Sequence, residues 1–195
     1  MTGPDRAWAG TWSNPPAAHS VEDDGILHAT SGDRTDFWQG TFYGFRRDDG
    51  HALLRDAPDA FEATLRFDGA YRHLYDQAGL MLRVGPRDWI KFGVEHTDGV
   101  PHLSVVVTRD GASDWSAQPV ALDGPMNVRA IRTGDAVLLR HRTSHDRDWA
   151  MARLAPAPAG PVRVGPYLCS PERAGFRAAF HAMTVTVPEA VDLHG

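Results

Sequence analysis

The amino-acid sequence predicts an all-β protein built as a sandwich of two antiparallel sheets, and three observations lead to this prediction. Apolar side chains alternate with other residues along several short runs, which is the pattern of strands that have one core-facing side. Turn-forming residues, many of them Asp-Gly pairs, separate these runs and supply the positive φ angles of tight hairpins. No long segment has the apolar spacing of an amphipathic helix.

The predicted strands follow one another along the chain, and each has its own alternating pattern. They cover residues 61–67, 78–84, 89–95, 102–108, 128–132, 136–142 and 176–187. The turn signals are Asp48-Asp49-Gly50, Asp68-Gly69, Gly85-Pro86, Asp98-Gly99, Asp110-Gly111, Asp123-Gly124-Pro125 and Thr133-Gly134-Asp135. The Pro- and Ala-rich stretch 155–161 could link two domains, but too few residues follow it to form a second one. We therefore interpret it as a surface loop and predict one domain over residues 1–195, with its core at about 12–186.

Composition and charge restrict the classes of partner. The chain has 195 residues, 42% of them hydrophobic and 23% charged, which argues against disorder. The formal net charge is −5 and the charges are interspersed, whereas nucleic-acid binding normally requires a concentrated basic face. No apolar stretch reaches the roughly 18 residues of a membrane span, and residues 1–10 do not read as a signal peptide. We expect a cytoplasmic protein with neither a nucleic-acid nor a membrane partner.

Several short strings, in a fixed order along the chain, resemble a family of domains of unknown function with a concanavalin A-like lectin/glucanase fold. They are Thr35-Asp36-Phe37-Trp38, Tyr43-Gly44-Phe45, Asp76-Gln77-Ala78-Gly79-Leu80-Met81, Trp89-Ile90-Lys91-Phe92-Gly93, Val106-Val107-Thr108, Ser113-Asp114-Trp115-Ser116, Val164-Gly165 and Cys169-Ser170-Pro171-Glu172. The resemblance implies a jelly-roll sandwich of two antiparallel sheets and a ligand-binding concave face. One branch of the family is named for the regulation of enolase, which implies a metabolic enzyme as a partner.

Strand alternation places a polar and aromatic set on one sheet face. If Ala78, Leu80 and Leu82 point into the core, the residues between them point the other way, and the same rule applies to the next two runs. Charged groups beside an aromatic plane are typical of sugar sites, and Gly79 and Gly93 would leave room for a ligand. The predicted ligand-binding residues are Gln77, Arg83, Trp89, Lys91, Glu95, Thr108, Asp114, Trp115 and Trp38. The alternatives are a solvated face with cross-strand ion pairs and tryptophans that only pack in the core.

Glycoside hydrolysis is a further hypothesis, because it needs two carboxyl groups about 5 Å or about 6.5–9.5 Å apart. Catalytic members of the concanavalin-like glucanases carry a Glu-x-Asp-x-x-Glu pattern. This sequence lacks it, since Leu27 stands where Glu22-Asp23-Asp24 would need a final Glu. Glu95 paired with Asp76 or Asp114 is the remaining combination.

Metal and thiol chemistry have weaker support in the sequence. His141 and His145 have the spacing of two ligands on a helix, but their segment reads as strand and turn. His96 and His102 flank a hairpin without an obvious third ligand. A calcium ion at Asp48-Asp49 remains an alternative. Cys169 is the only cysteine, and a buried structural thiol is favoured over a nucleophile. No metal site and no cofactor are predicted.

The favoured function is a lectin-like binding domain for a carbohydrate or a related polar metabolite on the concave sheet face. Arg83 and Lys91 extend this hypothesis to sugar phosphates and carboxylated sugars. One alternative is a cytosolic interaction module that regulates a metabolic enzyme such as enolase. The other is a glycoside-active hydrolase, with Glu95 as the acidic residue that would carry the reaction.

Overall fold

The structure is a computed structural model, and residues 8–188 are described here. The terminal parts of the predicted 1–195 domain, residues 1–7 and 189–195, lie outside the described residues. Within residues 8–188 all regular structure is β-strand. The predicted all-β jelly-roll sandwich of two antiparallel sheets is confirmed.

The strands form two large sheets and one small one. Across the first sheet they are β1 (Thr11–Trp12), β6 (His51–Asp56), β15 (Arg163–Cys169), β8 (Gln77–Gly85), β9 (Asp88–Thr97), β10 (Val100–Arg109) and β11 (Ala112–Pro119). Across the second sheet they are β14 (Ala150–Pro156), β13 (Ala136–Arg142), β12 (Met126–Thr133), β7 (Phe61–Gly69), β16 (Arg177–Thr186), β3 (Leu27–Thr30) and β2 (Ala18–Val21). The small sheet pairs β4 (Phe37–Gln39) with β5 (Arg46–Asp48).

Two of the five predicted Asp-Gly turns form tight hairpins with positive φ at both positions. Asp98 and Gly99, with φ of 51° and 81°, join β9 to β10, and Asp110 and Gly111, with φ of 51° and 77°, join β10 to β11. Positive φ at both positions gives the turn a twist that matches the flanking strands. Asp68-Gly69 instead lies at the end of β7. A Cβ on Gly69 would stand 2.8 Å from the Phe176 ring, so close packing requires this glycine.

The predicted loop at 155–161 begins inside a strand, because Ala155 and Pro156 are the last residues of β14. Residues 157–162 then connect this edge strand of the second sheet to β15 of the first sheet. The edge strands β11 and β14 were missed because an edge strand has little apolar alternation. Most of the side chains of both strands are exposed or only half-buried.

The main core lies between the two large sheets. It contains Ala78, Leu80, Leu82, Ile90, Phe92, Val94, Leu103 and Val105 from the first sheet, and Phe61, Ala63, Leu65, Phe67, Val128, Ala130, Val137, Leu139 and Phe180 from the second. Sequence alternation also placed Val84 of β8 inward, and this residue is only partly buried at the margin of the core. Each fully buried Leu or Phe contributes about 1.5–3 kcal/mol, so the alternating pattern is the main determinant of the sandwich.

The other face of the first sheet, which we call the outer face, carries a second apolar cluster. Its members are Phe37, Trp38, Ala52, Leu54, Met81, Trp89, Val106, Tyr167 and Cys169. The small β4–β5 sheet contributes Phe37 and Trp38 and covers part of this face. The predicted polar and aromatic set is therefore covered rather than open to solvent, since Trp89 is 0% exposed and Lys91 only 3%.

The described residues include no helix with the length and apolarity needed to cross a membrane.

Candidate ligand-binding site

A cavity of about 260 Å³ lies on the outer face of the first sheet, beside the β4–β5 sheet. Three neighbouring strands build its floor, with Gln77 on β8, Lys91 and Glu95 on β9, and Val106 on β10. Trp115 on the next strand, β11, also lines the cavity. Gln77 stands opposite Glu95 in the strand register, and Val106 stands opposite both Lys91 and Trp115. Directly opposed side chains are near neighbours in a sheet, so the register alone brings these groups together.

Five aromatic side chains line the walls of this cavity, and we call it the aromatic cavity. They are Trp38, Tyr43, Phe45, Tyr75 and Trp115. The Tyr43 ring stacks on Phe45 at 5.4 Å and meets Trp38 edge-on at 5.7 Å. On the opposite wall, Tyr75 meets Trp115 edge-on at 6.5 Å. Such aromatic pairs hold each other in position, so the walls are shaped before a ligand arrives.

The two aromatic walls come from different segments, and their hydroxyl groups join them. Tyr43 belongs to the loop between β4 and β5, and Tyr75 precedes β8. Their hydroxyl oxygens are 3.3 Å apart. This hydrogen bond and burial raise the pKa of Tyr75 well above its ordinary value, so the phenol stays protonated.

Lys91 forms a buried ion pair at one end of the floor. Its Nζ donates to Asp36 Oδ1 at 3.2 Å and to the Phe37 carbonyl at 2.9 Å. Burial by itself favours the neutral amine, but the charges of Asp36 and Glu95 outweigh it and raise the pKa of Lys91. Lys91 therefore remains charged and ties the β4 segment to the floor.

Glu95 is the other charged group of the floor and is only 5% exposed. Its Oε2 accepts a hydrogen bond of 2.6 Å from Ser104, whose Oγ accepts one of 3.0 Å from the Trp115 indole N–H. Burial raises the pKa of Glu95, although Lys91 and the Ser104 hydrogen bond act in the opposite direction. A titratable group with such a shift in a cavity is typical of a functional site.

Gln77 has an unused acceptor at the floor. Its side chain is buried at 2% exposure, and its Nε2 donates to the Tyr75 carbonyl at 3.3 Å. Its Oε1 is buried and has no hydrogen-bond partner among the described residues. Since buried polar atoms are nearly always partnered, this oxygen is suited to accept a hydrogen bond from a bound molecule.

The structure brings together five of the nine residues that sequence predicted for ligand binding. Gln77, Lys91, Glu95, Trp115 and Trp38 all line the aromatic cavity. The other four predicted residues are not among the cavity-lining residues. Gly79 and Gly93 also do not line it. A Cβ on Gly79 would stand 2.2 Å from the Phe92 carbonyl oxygen, so these glycines permit close approach of β8 and β9 rather than making room for a ligand.

Packing explains the positions of the other four residues. Arg83 donates to both carboxylate oxygens of Asp48, at 2.7 and 2.8 Å, beneath the β4–β5 sheet. Trp89 is fully buried against Phe37, with ring centroids 6.1 Å apart. The Thr108 hydroxyl is 2.7 Å from the Ser113 hydroxyl in a buried pair. Asp114 leaves β11 on the opposite side from Trp115 and receives a hydrogen bond of 2.6 Å from Arg153 of β14.

Sequence reasoning missed several lining residues, chiefly Asp36, Tyr43, Phe45, Tyr75 and Glu172. All lie outside the strands, where alternation predicts nothing. One signal was present, because the segment 40–45 sets three aromatic residues next to two glycines. Aromatic residues in such a glycine-bounded loop are a sign of a binding surface, since a loop has no core to fill.

The aromatic cavity does not bring together the residues that the sequence suggested for hydrolysis, thiol chemistry or metal binding. Asp76 is fully buried and bound by Ser170 at 3.0 Å and by Arg173 at 2.6 Å. Burial raises the pKa of the Cys169 thiol well above its ordinary value, which disfavours the reactive thiolate. No group of three or more His, Cys, Asp or Glu residues within 8–188 is arranged to hold a metal ion.

Comparison with models of known protein families assigns the chain to a family. The family model described as "Protein of unknown function (DUF1349)" matches residues 12–188. The chain belongs to the DUF1349 family. The resemblance predicted from the ordered sequence strings is thereby confirmed.

A curated protein and a solved structure, both from Saccharomyces cerevisiae, are similar to this DUF1349 chain. The chain is 38% identical over 186 residues to the protein named "Regulation of enolase protein 1", a match that covers 95% of this chain and 93% of the yeast protein. A crystal structure of a yeast protein described as functionally unknown superposes with a TM-score of 0.88 and 36% identity, covering 97% of this chain and 100% of that chain.

More distant structures share the fold of the DUF1349 chain. The glycoside hydrolase family 43 protein BlXynB of Bacillus licheniformis superposes with a TM-score of 0.71 at 16% identity. The match covers 90% of this chain but 36% of that protein, so the chain corresponds to about one third of it. At this identity the likeness shows the jelly-roll fold alone.

Proposed function

We propose that the chain is a binding protein for a small hydroxylated metabolite of the carbohydrate class, held in the aromatic cavity. The observation that carries this proposal is the combination of aromatic walls with a buried floor that has the unused acceptor Gln77 Oε1. Pockets for small molecules commonly combine apolar lining with a few placed polar groups. The aromatic faces suit the C–H faces of a sugar ring, and the floor suits its hydroxyl groups.

The hydrogen-bonding groups of the floor suit a ligand that carries hydroxyl groups. Gln77 Oε1 can accept from a ligand hydroxyl, and the carboxyl of Glu95 can accept or donate according to its protonation state. A hydroxyl group is both donor and acceptor, so it can satisfy either partner. The rings of Trp38 and Trp115 enclose the same space.

A sugar and polyol panel tests this proposal through the protein's own fluorescence and thermal stability. Ligands that enter the cavity are expected to change tryptophan emission, because Trp38 and Trp115 line it, and to raise the Tm by mass action. Trp115→Phe keeps a ring but removes the N–H donor to Ser104, and should weaken binding about tenfold, or about 1.4 kcal/mol.

Trp149→Phe provides the matched control. Trp149 lies away from the cavity, with the guanidinium groups of Arg129 and Arg142 at 4.3 and 4.8 Å from its ring. Binding should be unchanged in this variant. If no member of the panel changes either readout, or if both tryptophan variants weaken binding equally, the proposal is wrong.

A second candidate function is the regulation of a metabolic enzyme, and a specific surface favours it. Phe42 is 93% exposed, and its ring meets the cavity-lining Tyr43 at 5.1 Å. Tyr43 and Phe45, which stack on each other, are each 45% exposed. Contiguous exposed apolar residues of this kind mark interaction surfaces. Because the yeast relative is named for the regulation of enolase, enolase is the partner that we propose for this surface.

Purified enolase tests this second function directly. Its binding to the chain, measured by calorimetry, should be weakened at least about tenfold by Phe42→Ser, while the exposed but distant Met151→Ser on β14 should have no effect. Absence of binding by the unaltered chain would eliminate enolase as a partner and would leave the small-molecule proposal untouched.

A further inference from the structure

The charges around the aromatic cavity do not balance. Asp36, Glu95 and Glu172 are the acidic lining residues, and Lys91 is the one basic residue among those that line it. The amine of Lys91 is already paired with Asp36 at 3.2 Å and bonded to a backbone carbonyl. The carboxyl groups of Glu95 and Glu172 therefore face the cavity with no cation of their own there.

A negatively charged ligand has no suitable partner at this site. Arg83, which sequence offered as an anion-binding residue, is bound at both guanidinium nitrogens to Asp48 and is not among the lining residues. Lys91 is 3% exposed beneath its partners. A phosphate group would therefore meet the carboxyl groups of Glu95 and Glu172 with no free cation beside it. Bringing like charges together in this way disfavours binding.

A positively charged ligand would have favourable partners in the aromatic rings and in the carboxyl group of Glu95. The faces of aromatic rings attract cations, and the attraction is greatest when the cation is desolvated. Five rings line this cavity, and the buried carboxyl of Glu95 forms its floor. Burial raises the pKa of Glu95 despite the opposing charge of Lys91, so a second cation beside this carboxyl group would favour its ionised form.

We infer that the aromatic cavity selects a small hydroxylated ligand that carries an ammonium group, such as an amino sugar or an amino alcohol. This inference rests on the proposed function, because it assigns the ligand class of the same site. The ammonium group lies between the aromatic walls and the carboxyl groups of Glu95 and Glu172, and the hydroxyl groups reach Gln77.

Two matched sets of probes test the inference by titration of tryptophan fluorescence and by calorimetry. Choline and its uncharged carbon isostere 3,3-dimethylbutan-1-ol differ only in the charge of the head group. Glucosamine, glucose and glucose 6-phosphate place a positive, a neutral and a negative group on one sugar. We expect choline to bind at least about tenfold more tightly than its isostere, the size of a desolvated cation–π contact with carboxylate support. Glucosamine should bind more tightly than glucose, and glucose 6-phosphate should bind most weakly.

Carboxyl variants identify the source of the preference. Glu172→Gln removes an exposed charge at the rim and should reduce choline affinity about threefold to tenfold, with little effect on the isostere. Asp114→Asn makes the same chemical change on β11, but its side chain points away from the cavity toward Arg153. It should leave both affinities unchanged, which separates local contact from net charge.

The outcomes separate this inference from the proposed function. If neutral members of the panel bind as tightly as their charged counterparts, or if glucose 6-phosphate binds best, the ammonium preference is wrong and the cavity remains a sugar site. If Asp114→Asn weakens choline as much as Glu172→Gln does, the preference is not located in the cavity. If no probe and no sugar binds, both proposals are wrong.

Discussion

On β8 and β9, residues that determine strand packing lie next to residues that line the aromatic cavity. Gly79 and Gly93 stand directly opposite each other in the register. A Cβ on Gly79 would be 2.2 Å from the Phe92 carbonyl oxygen, and one on Gly93 would be 2.1 Å from that of Ala78. The two glycines thus determine how closely the strands approach, and the flanking Gln77 and Glu95 meet across the same pair of strands.

Gly79→Ala is expected to destabilise the fold by more than the roughly 1–3 kcal/mol typical of overpacking, because the obstacle is backbone rather than a movable side chain. Chemical denaturation measures the loss. Gly85→Ala is the matched control, since nothing lies within 4 Å of its added Cβ, and it should change stability by no more than about 0.5 kcal/mol. Equal losses in the two variants would contradict the close-approach explanation.

Glu95→Gln is expected to stabilise the unliganded protein at neutral pH while weakening ligand binding. The folded-state pKa of Glu95 is raised by burial, so its contribution to stability is fully present below the unfolded pKa of about 4.3 and is lost as the pH rises through the folded value. The gain from the amide should therefore be largest at neutral pH and vanish in acid.

Denaturation curves at several pH values measure this gain. Glu172→Gln, which changes an exposed carboxyl group, should give no comparable pH-dependent difference. A Glu95→Gln variant that is less stable than the unaltered chain at neutral pH would contradict the prediction. A stabilising change that costs binding is the usual sign of a residue retained for function.

At the scale of elements, the small β4–β5 sheet converts an exposed sheet face into a site. Its attachments are polar. Lys91 reaches Asp36 and Phe37, the Ser113 hydroxyl accepts from the Gln39 amide at 2.9 Å, and Arg83 binds Asp48 with two hydrogen bonds. Between these contacts, Phe37 and Trp38 fill the second apolar cluster. The cover thus places Trp38, Tyr43 and Phe45 above the floor.

Asp48→Asn is expected to loosen this cover, because the side chain of Arg83 is only 7% exposed and would lose its charged partner. Charged hydrogen bonds of this kind contribute about 1.5–3 kcal/mol each, less where water reaches the pair. Hydrogen exchange should speed up in residues 36–48 more than in β7. Asp114→Asn, in a pair whose Asp side chain is 66% exposed, should have no such effect. Uniform acceleration across both sheets would contradict a local role.

At the scale of the whole molecule, the two large sheets share one main core. Phe92 of the first sheet and Phe67 of the second are both 0% exposed within it. Neither sheet can keep its inner face out of water without the other. The two sheets should therefore lose their structure together rather than in succession.

Phe92→Ala and Phe67→Ala are each expected to destabilise the protein by about 3–5 kcal/mol. Tryptophan fluorescence and far-ultraviolet circular dichroism should report a single shared transition in both variants. Leu154→Ala, at a residue 49% exposed on β14, should change stability little. Separate transitions for the two signals would show that the sheets unfold independently.

The predictability of the site follows from where its residues lie. The floor residues Gln77, Lys91 and Glu95 were predictable because strand alternation assigns a face to each residue from local sequence alone. Trp38 and Trp115 were among the predicted ligand-binding residues, and both line the cavity. Arg83 and Trp89 share the correct face, but nothing local indicates that Asp48 and Phe37 would cover them. Asp114 was assigned with Trp115, although adjacent residues of a strand point to opposite sides.

The sequence by itself determined the all-β sandwich, the inner and outer faces of β8 and β9, and the Asp-Gly hairpins between β9, β10 and β11. Those features depend on alternation and on backbone conformation over a few residues, so the local sequence determines them. Only the tertiary structure decided that the outer face is covered, that Tyr43 meets Tyr75, and that the acids of the cavity outnumber its cations. Those features depend on segments far apart in the chain, and their proximity is set by how the whole sandwich packs.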